Sequence, residues 1–325
     1  MARGKGEILI TDQKDLKDFT ILGPGGVGGV LAGLLARGAP GNGDDGDHGR
    51  RVRVVASEST ARRITADGLR VESEAFGDFT AHPEARAKLT KRTDVLFVTV
   101  KATTLDAALE RISADAVEDA LIVPLLNGFE HVDILRSRFP RAHVVAASIL
   151  VAASRPSPGR VQHTGSVTSV EMAGPAAVAD RIDALAATLR TAGITADILD
   201  SEDRVLWKKY SFLLPAALVC AHTRLPIGEA RVTHRATMVG IVDEARAVAA
   251  ARGVTIDPDK VLKVADSRPA HVKPSLLFDR ENGYPMEIDA LGGALLRAAR
   301  DAGIDTPVTA RVVADLEAVD NARTA

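Results

Sequence analysis

"DFTILGPGGVGGVLAGLLARG", residues 18–38, decides the fold. A short β-type run, 19–22, leads into glycines, and an Ala- and Leu-rich helical pattern fills the rest of the stretch. Gly23, Gly25 and Gly28 have G-x-G-x-x-G spacing between the predicted strand and the predicted helix, which is the context that a dinucleotide-binding loop needs. The stretch therefore predicts a Rossmann-type cofactor loop, formed by Gly23, Pro24, Gly25, Gly26, Val27 and Gly28.

Steric requirements explain why glycine stands at each of the three positions of this motif. The first permits a tight turn, the second lets the backbone approach a pyrophosphate, and the third lets helix and strand pack closely. The helix N-terminus offers unpaired N–H groups and partial positive charge to the phosphates. The alternative is a glycine-rich turn without a ligand, and the strand–loop–helix context favours the cofactor loop.

The segment "VVASESTARR" (54–63) bears on which dinucleotide is bound. An acidic residue near the end of the second strand binds the ribose 2′-OH of NAD, whereas arginine accommodates the 2′-phosphate of NADP. Glu58 favours NAD, while Ser57, Arg62 and Arg63 could surround a 2′-phosphate. The local residues leave both cofactors open.

Strand and helix patterns alternate up to about residue 200. "DVLFVTVKA" (94–102) is a nearly continuous β-branched run, typical of a strand buried on both faces of a parallel sheet. Further strands are predicted around 52–55, 119–128 and 142–153, with helices at 104–112 and 130–138. This alternation predicts an α/β domain with a doubly wound, Rossmann-like sheet.

Beyond residue 200 the pattern becomes helical, and an all-α domain is predicted. We expect helices at 201–222, 229–252, 258–266 and 284–302. The predicted organisation is an N-terminal extension (1–17), a dinucleotide-binding domain (18–200) and a helical substrate and catalytic domain (201–325). "GAPGNGDDGDHG" (38–49) is predicted to be a loop without a catalytic role.

Composition argues against several classes of protein. With 41 basic and 43 acidic residues, the chain offers no footprint for nucleic acid or an anionic membrane. The single cysteine, Cys220, fits a reducing compartment. The first residues lack a secretory pattern, and the apolar stretch 210–221 is shorter than the ~20 residues of a membrane span. The eight histidines lack zinc-site spacing. We therefore expect a soluble, cytoplasmic protein without a metal, and the Ala-rich helices are compatible with a homodimer.

Six fragments stand out in chain order: "ILGPGGVGG" (21–29), "DVLFVTVKA" (94–102), "LLNG" (125–128), "LWKK" (206–209), "PSLLFDRENGYPMEID" (274–289) and "AGIDTP" (302–307). Together they resemble the ketopantoate reductase (2-dehydropantoate 2-reductase) family, which makes pantoate for pantothenate biosynthesis by reducing a 2-keto acid with NADPH. The resemblance implies a Rossmann domain, a helical C-terminal domain and an active site in the cleft between them. It favours NADP(H) as the cofactor, with NAD(H) possible.

The resemblance also implies roles for individual residues. Lys209 matches the catalytic lysine of the family, and Glu287 matches the glutamate of its T-E-I-D motif. Asn127 matches the asparagine that borders nicotinamide and substrate. Ser275 matches a serine that binds the substrate carboxylate, and Lys101 a lysine near the cofactor.

Some positions depart from the family pattern. Leu213 and Ala217 stand where asparagines usually follow Lys209 by four and eight residues. Gly292 replaces another asparagine, and Ser57 occupies the place of the arginine that holds the 2′-phosphate. Because residues four apart share a helix face, we expect Leu213 and Ala217 to line a less polar pocket, suited to a ketone with a bulkier apolar side chain.

Lys209 suits the chemistry of ketone reduction, because a cationic donor stabilises the negative charge that develops on the carbonyl oxygen. The alternative is a surface lysine snorkelling off a core helix, which is our interpretation of Lys208. Glu287, in a predicted helix, could orient the Lys209 ammonium or bind a substrate hydroxyl, or be a surface or capping carboxylate.

The other candidates have structural alternatives as well. Asn127 could be a turn residue, Ser275 a helix N-cap and Lys101 an exposed strand end.

Three functions are consistent with these patterns. The first is an NADPH-dependent 2-keto acid reductase. The second is an opine-type or other 2-oxoacid dehydrogenase on the same fold, and the third is a non-catalytic NADP-binding regulator.

Overall fold

The computed structural model describes residues 16–37 and 49–324. Nearly all of the predicted extension 1–17 and of the predicted loop 38–49 lies outside the described residues.

Two sheets and a helical region make up the fold. The strands are β1 (Asp18–Leu22), β2 (Arg51–Val55), β3 (Leu69–Ser73), β4 (Phe79–Ala81), β5 (Glu84–Arg86), β6 (Val95–Val98), β7 (Leu121–Pro124), β8 (His143–Val144), β9 (Ala146–Ser157), β10 (Arg160–Ala173) and β11 (Thr195–Ile198). The helices are α1 (Gly26–Arg37), α2 (Glu58–Asp67), α3 (Leu105–Leu109), α4 (His131–Arg138), α5 (Ala179–Thr191), α6 (Glu202–Thr223), α7 (Ile227–Thr233), α8 (Arg235–Ala251), α9 (Pro258–Ser267), α10 (Ser275–Asn282), α11 (Ala294–Asp301) and α12 (Pro307–Thr324).

The first sheet is parallel throughout and has the strand order β5–β2–β1–β6–β7–β8. Leu22, at the end of β1, pairs with Val55 on one side and with Val98 on the other. The carboxyl ends of three strands therefore coincide where the strand order reverses, which is the crevice that doubly wound sheets use for ligands. The predicted α/β fold with a helical C-terminal domain is confirmed.

A second sheet has the order β11–β10–β3–β4, and β9 pairs with β10 as a long antiparallel hairpin. The predicted single strand at 142–153 is wrong. The segment forms two strands: β8 belongs to the first sheet, and β9, which begins after Val145, belongs to the second. Since both pieces are apolar, no turn signal marks the crossing.

The C-terminal region is built around α6. Ser201 caps its start by accepting a hydrogen bond from the backbone N–H of Arg204 at 3.2 Å. The predicted helix 229–252 is two helices, α7 and α8, with a break at His234. Two further helices, α10 and α12, were not predicted.

Among the described helices, no single one is long and apolar enough to cross a membrane. Together α6 and α7 meet that length and composition test, although an 89° bend separates them.

Candidate active site

The glycine loop lies between β1 and α1, at the reversal of strand order. Gly23 adopts φ +89°, which a turn of this kind requires. A Cβ at Gly28 would lie 2.2 Å from Thr99 Oγ1 and 2.3 Å from the Gly23 carbonyl oxygen. A Cβ at Gly25 would meet no non-neighbouring heavy atom nearer than 4.0 Å. The loop is therefore tightly packed at Gly28 and open at Gly25, where a bound pyrophosphate needs space.

Thr99 holds this loop in place, and the sequence analysis did not single it out. Its hydroxyl lies 2.9 Å from the carbonyl oxygen of Leu22 and 2.8 Å from that of Gly23. Pro24 is buried in the turn, whereas Gly26 and Val27 are partly exposed. The predicted cofactor loop thus forms one surface at the N-terminus of α1.

Three charged residues surround the end of β2. Ser57 caps α2, with its Oγ accepting from the Thr60 N–H at 3.3 Å. Glu58 and Arg62 form an exposed ion pair at 3.5 Å, and Arg63 pairs with Asp67. Glu58, Arg62 and Arg63 therefore all lie on α2, the helix that follows β2, and both arginines are paired with carboxylates of the same helix.

A small cleft lies between the loop after β7, strand β9 and helix α6. The residues lining it are Leu126, Asn127, Gly128, Ala147, Ser148, Leu206, Lys209, Tyr210 and Leu213. The structure thus brings two of the predicted site residues, Lys209 and Asn127, to one cavity although 82 positions separate them in the chain (209 minus 127).

Lys209 is half-buried, and its Nζ makes no hydrogen bond or close ion pair with residues 16–37 and 49–324. Burial lowers the pKa of this ammonium to about 8, and the negative charge of Glu287 acts in the opposite direction. Lys209 is therefore mostly protonated at neutral pH but close enough to its pKa to release the proton.

Three aromatic rings support the helix beside Lys209. Phe129 stacks on Trp207 at 5.2 Å between centroids, and both rings meet Tyr210 edge-on. The Tyr210 hydroxyl donates to the Leu291 carbonyl oxygen at 2.6 Å, and burial raises the Tyr210 pKa well above its usual value. Tyr210 is therefore a neutral structural donor, and the ring cluster fixes the position of Lys209.

Glu287 is buried and held by two donors from the N-terminal domain. Its Oε1 accepts from the Ala102 N–H at 2.8 Å, and its Oε2 accepts from Asn127 Nδ2 at 3.1 Å. The predicted helix at this position is wrong, because the helical turns begin only after Glu287. Pro285 disfavours helical geometry in Tyr284, the residue before it, and the first helical residue is Ile288.

The Asn127–Gly128 turn packs against the segment after Glu287. Gly128 has φ +88°, and a Cβ there would lie 2.4 Å from the Ala290 carbonyl oxygen. Asn127 is therefore a turn residue that also contacts the buried carboxylate, so its structural and functional interpretations are compatible.

Lys101 and Ser275 lie outside the cleft lining. Lys101 Nζ donates to Asp279 Oδ1 at 2.6 Å, so this side chain connects the two domains. Ser275 is exposed at the first position of α10, and the N-cap interpretation is wrong because Pro274 occupies the cap position. Lys208 is exposed but paired with Glu171 of β10, rather than simply solvated.

The three departures from the expected asparagines have different surroundings. Leu213 lines the cleft, whereas Ala217 is fully buried in the helical core, so the expectation that Ala217 faces the ligand is wrong. A Cβ at Gly292 would lie 2.2 Å from Val313 Cγ2, which leaves no room for a larger side chain. Along α6 the cleft lining runs from Leu206 to Leu213, about two helical turns, and of the three departures only Leu213 lines the cleft.

Two segments of the chain match one family. Residues 19–173 match "Ketopantoate reductase PanE/ApbA", and residues 203–320 match "Ketopantoate reductase PanE/ApbA C terminal". The chain belongs to the ketopantoate reductase family. This ketopantoate reductase family protein is accordingly a dinucleotide-binding oxidoreductase.

Individual relatives agree in length as well as in sequence. The chain is 28% identical over 310 residues to "Uncharacterized oxidoreductase YkpB" of Bacillus subtilis, covering 92% of this chain and 97% of that protein. It is 29% identical over 294 residues to a 2-dehydropantoate 2-reductase of Mycobacterium tuberculosis, covering 90% and 94%.

Solved structures extend the comparison. A PanE/ApbA family ketopantoate reductase from Ralstonia eutropha JMP134 superposes with a TM-score of 0.83 at 28% identity, covering 94% of this chain and 99% of that one. D-mandelate dehydrogenase, solved with NADH and anilino(oxo)acetate, shares the fold with a TM-score of 0.81 at 20% identity, covering 94% and 99%.

Proposed function

We propose that this family member reduces a 2-keto acid to the 2-hydroxy acid with NADPH, and that Lys209 is the proton donor. The observation that carries the proposal is the Lys209 ammonium, which faces the interdomain cleft without a hydrogen-bond partner among the described residues. A partly buried cation without a partner is costly, and a ligand oxygen that completes the site would explain its position.

The reaction divides between cofactor and protein. When bound, the dinucleotide supplies the hydride that reduces the keto carbon. Lys209 donates a proton to the carbonyl oxygen as negative charge builds there, and the lysine is left as a neutral amine that regains a proton from solvent. Because the free ammonium has a pKa of about 8, the proton is available at neutral pH without being held too strongly.

Glu287 and Asn127 complete this arrangement. The Glu287 carboxylate favours the charged form of Lys209, and its two hydrogen bonds keep the carboxylate itself in place. Asn127 borders the cleft from the loop after β7, so its amide lies beside the position expected for the reacting groups.

We propose a substrate with an apolar side chain. Leu126, Leu206 and Leu213 line the cleft around Lys209, which favours hydrophobic contact over hydrogen bonding to a substrate hydroxyl. The relatives named 2-dehydropantoate 2-reductase and the structural neighbour named D-mandelate dehydrogenase both support a 2-keto acid of this kind.

NADPH is our preferred cofactor because Arg62 and Arg63 lie on α2, the helix that directly follows β2. Glu58 lies there too, so NADH is the comparison that tests this choice. The decisive experiment follows the oxidation of each cofactor with ketopantoate, branched 2-keto acids and phenylglyoxylate.

Lys209→Ala provides the test of mechanism. We expect its kcat to fall by about 10²-fold or more, the usual contribution of a positioned general acid. Lys260→Ala, which removes an exposed lysine of α9, is the matched control. Near-normal turnover by Lys209→Ala would contradict the mechanism. Turnover that depends on an added amine would indicate an imine reductase, and tight cofactor binding without turnover would indicate a regulator.

A further inference from the structure

Arg297 of α11 binds carboxylates on both sides of the domain interface. Its Nε and Nη2 donate to the two carboxylate oxygens of Glu130 at 2.9 and 2.6 Å. Its Nη1 and Nη2 donate to those of Asp289 at 2.5 and 3.1 Å. Glu130 belongs to the N-terminal domain and Asp289 to the helical one, so a single guanidinium holds a carboxylate from each. We call these three residues the Arg297 bridge.

The Arg297 bridge lies next to two of the predicted site residues. Glu130 follows Asn127 by three residues in the loop after β7, and Asp289 follows Glu287 by two. Asn127 itself donates to Glu287 at 3.1 Å. The same two segments are therefore joined twice, once at the Glu287 carboxylate and once at the bridge.

A glycine makes room for the bridge. Residues Asp289–Gly293 form a π-helical turn, a geometry that is frequent at functional sites. A Cβ at Gly293 would lie 2.4 Å from Asp289 Oδ1 and 3.2 Å from Arg297 Nη1. A side chain at this position would therefore push Asp289 away from the guanidinium without removing any charge.

Without the guanidinium, the bridge would consist of two carboxylates. Because both accept from the same Nη2, Glu130 and Asp289 lie close together, and like charges at short range repel each other. The side chains of Glu130 and Arg297 are 34% and 37% exposed, whereas that of Asp289 is 76% exposed, so solvent screens the Glu130 contact less. Loss of Arg297 would therefore drive the Asn127 loop away from the Glu287 segment.

The π-helical turn is also fixed against α6. Tyr210, which directly follows Lys209, donates its hydroxyl to the carbonyl oxygen of Leu291 inside the turn at 2.6 Å. A displacement of the turn would therefore change the position of Glu287 relative to Lys209, in addition to loosening the domain interface.

We infer that Arg297 is a positioning residue, which keeps Glu287 in contact with Asn127 by holding Glu130 and Asp289 together. This inference rests on the proposed function, in which the Glu287 carboxylate favours the charged form of Lys209. Arg297 is not among the residues that line the cleft, so it acts through Glu287 rather than on the substrate.

The first test measures kinetics and the pH profile of Arg297→Ala with a 2-keto acid that the wild type reduces. A displacement of about 1 Å at a catalytic site can cost about 10²-fold, so we expect kcat to fall about tenfold or more. The fall of kcat/KM at high pH should move to lower pH, as in a variant without the Glu287 charge. The Kd of NADPH should stay unchanged, because the glycine loop is not altered.

Two variants distinguish positioning from a general loss of stability. Arg297→Lys keeps the charge but lacks the planar fork, so it should recover only part of kcat. Arg235→Ala is the matched control, since it removes a two-donor contact to Asp266 within the helical domain. We expect Arg235→Ala to leave the pH profile unchanged.

Two further variants test the contacts of the bridge. Gly293→Ala should reproduce the pH shift with every charge retained. The double variant Arg297→Ala/Glu130→Ala should be no worse than Arg297→Ala, because it leaves no second carboxylate opposite Asp289. An unmoved pH profile in Arg297→Ala, or losses that add in the double variant, would overturn the inference.

A readout that does not require turnover separates this inference from the proposed function. The pH dependence of acetylation of Lys209 by trace acetic anhydride, followed by mass spectrometry, reports the pKa of that amine. A lower Lys209 pKa in Arg297→Ala supports the inference even if the wild type reduces no keto acid, in which case only the proposed function fails. The same Lys209 pKa in Arg297→Ala and the wild type would overturn the inference whatever the turnover.

Discussion

Gly25 and Gly28 belong to the same loop, but substitution by alanine should have opposite consequences at the two positions. In Gly25→Ala the new Cβ would have 4.0 Å of clearance, and the backbone there is outside the left-handed region. The protein should therefore fold normally, with a gain of about 0.4–1 kcal/mol from the less flexible unfolded chain. In Gly28→Ala the Cβ would lie 2.2 Å from Thr99 Oγ1 and 2.3 Å from a backbone oxygen, so one of them must move.

The energetic difference follows from these distances. Neither neighbour of Gly28 is the free end of a flexible side chain, because the Thr99 hydroxyl is itself held by the loop carbonyls. Overpacking of this kind typically costs about 1–3 kcal/mol. By contrast, the Gly25 methyl group would fill the space through which the loop approaches a pyrophosphate. We expect it to weaken NADPH binding about tenfold or more, or about 1.4 kcal/mol.

Thermal unfolding and fluorescence titration with NADPH separate the two effects. Gly25→Ala should keep or raise Tm while losing affinity, and Gly28→Ala should lower Tm in the absence of cofactor. If Gly25→Ala bound NADPH as tightly as the wild type, the open side of the loop would not be the phosphate site. An unchanged Tm in Gly28→Ala would refute the packing argument.

Three further predictions concern charge and packing. Reduction requires protonated Lys209, so kcat/KM should fall as pH rises through about 8. Glu287→Gln should shift that fall to lower pH, because the substitution removes the negative charge that raises the Lys209 pKa. A pH profile that is the same in Glu287→Gln and the wild type would exclude this coupling. Gly292→Asn should lower stability by about 1–3 kcal/mol in denaturant unfolding, and a variant as stable as the wild type would show that the site has room after all. Asp18 has a lowered pKa, chiefly through its hydrogen bond from Arg51, so its contribution is present above the unfolded-state pKa of about 3.9 and is lost as pH falls through the folded value. Asp18→Asn should therefore cost about 1.5–3 kcal/mol at pH 7 and progressively less in acid, and a loss independent of pH would contradict the assignment.

The sequence predicted the first sheet because its strands are buried on both faces and are therefore continuously apolar, as at 94–102. It missed β3 and β10, which carry charged and polar residues on an exposed face. The break between α7 and α8 was also missed, since His234 is compatible with a helix and no glycine or proline marks the break.

The site shows a similar division. Lys209 and the glycine loop could be found from local motifs, because spacing within a few residues defines them. The Glu287–Asn127 contact joins residues 160 positions apart, and only the family resemblance suggested that they meet. Ser148 sits in an apolar strand, "AASIL" (146–150), whose pattern indicates burial but not a cavity.

The Glu287 carboxylate belongs to the C-terminal half of the chain, but its two hydrogen-bond donors come from the N-terminal half, in the segments after β6 and β7. Exchange of whole domains between family members would therefore separate the carboxylate from the groups that hold it. Chimeras should retain function only when "MEID" (286–289) is combined with an Asn127 loop and an Ala102 turn that can hydrogen-bond to its glutamate. Residues that contact each other across the domain interface must consequently change together, so the two domains cannot diverge independently at this active site.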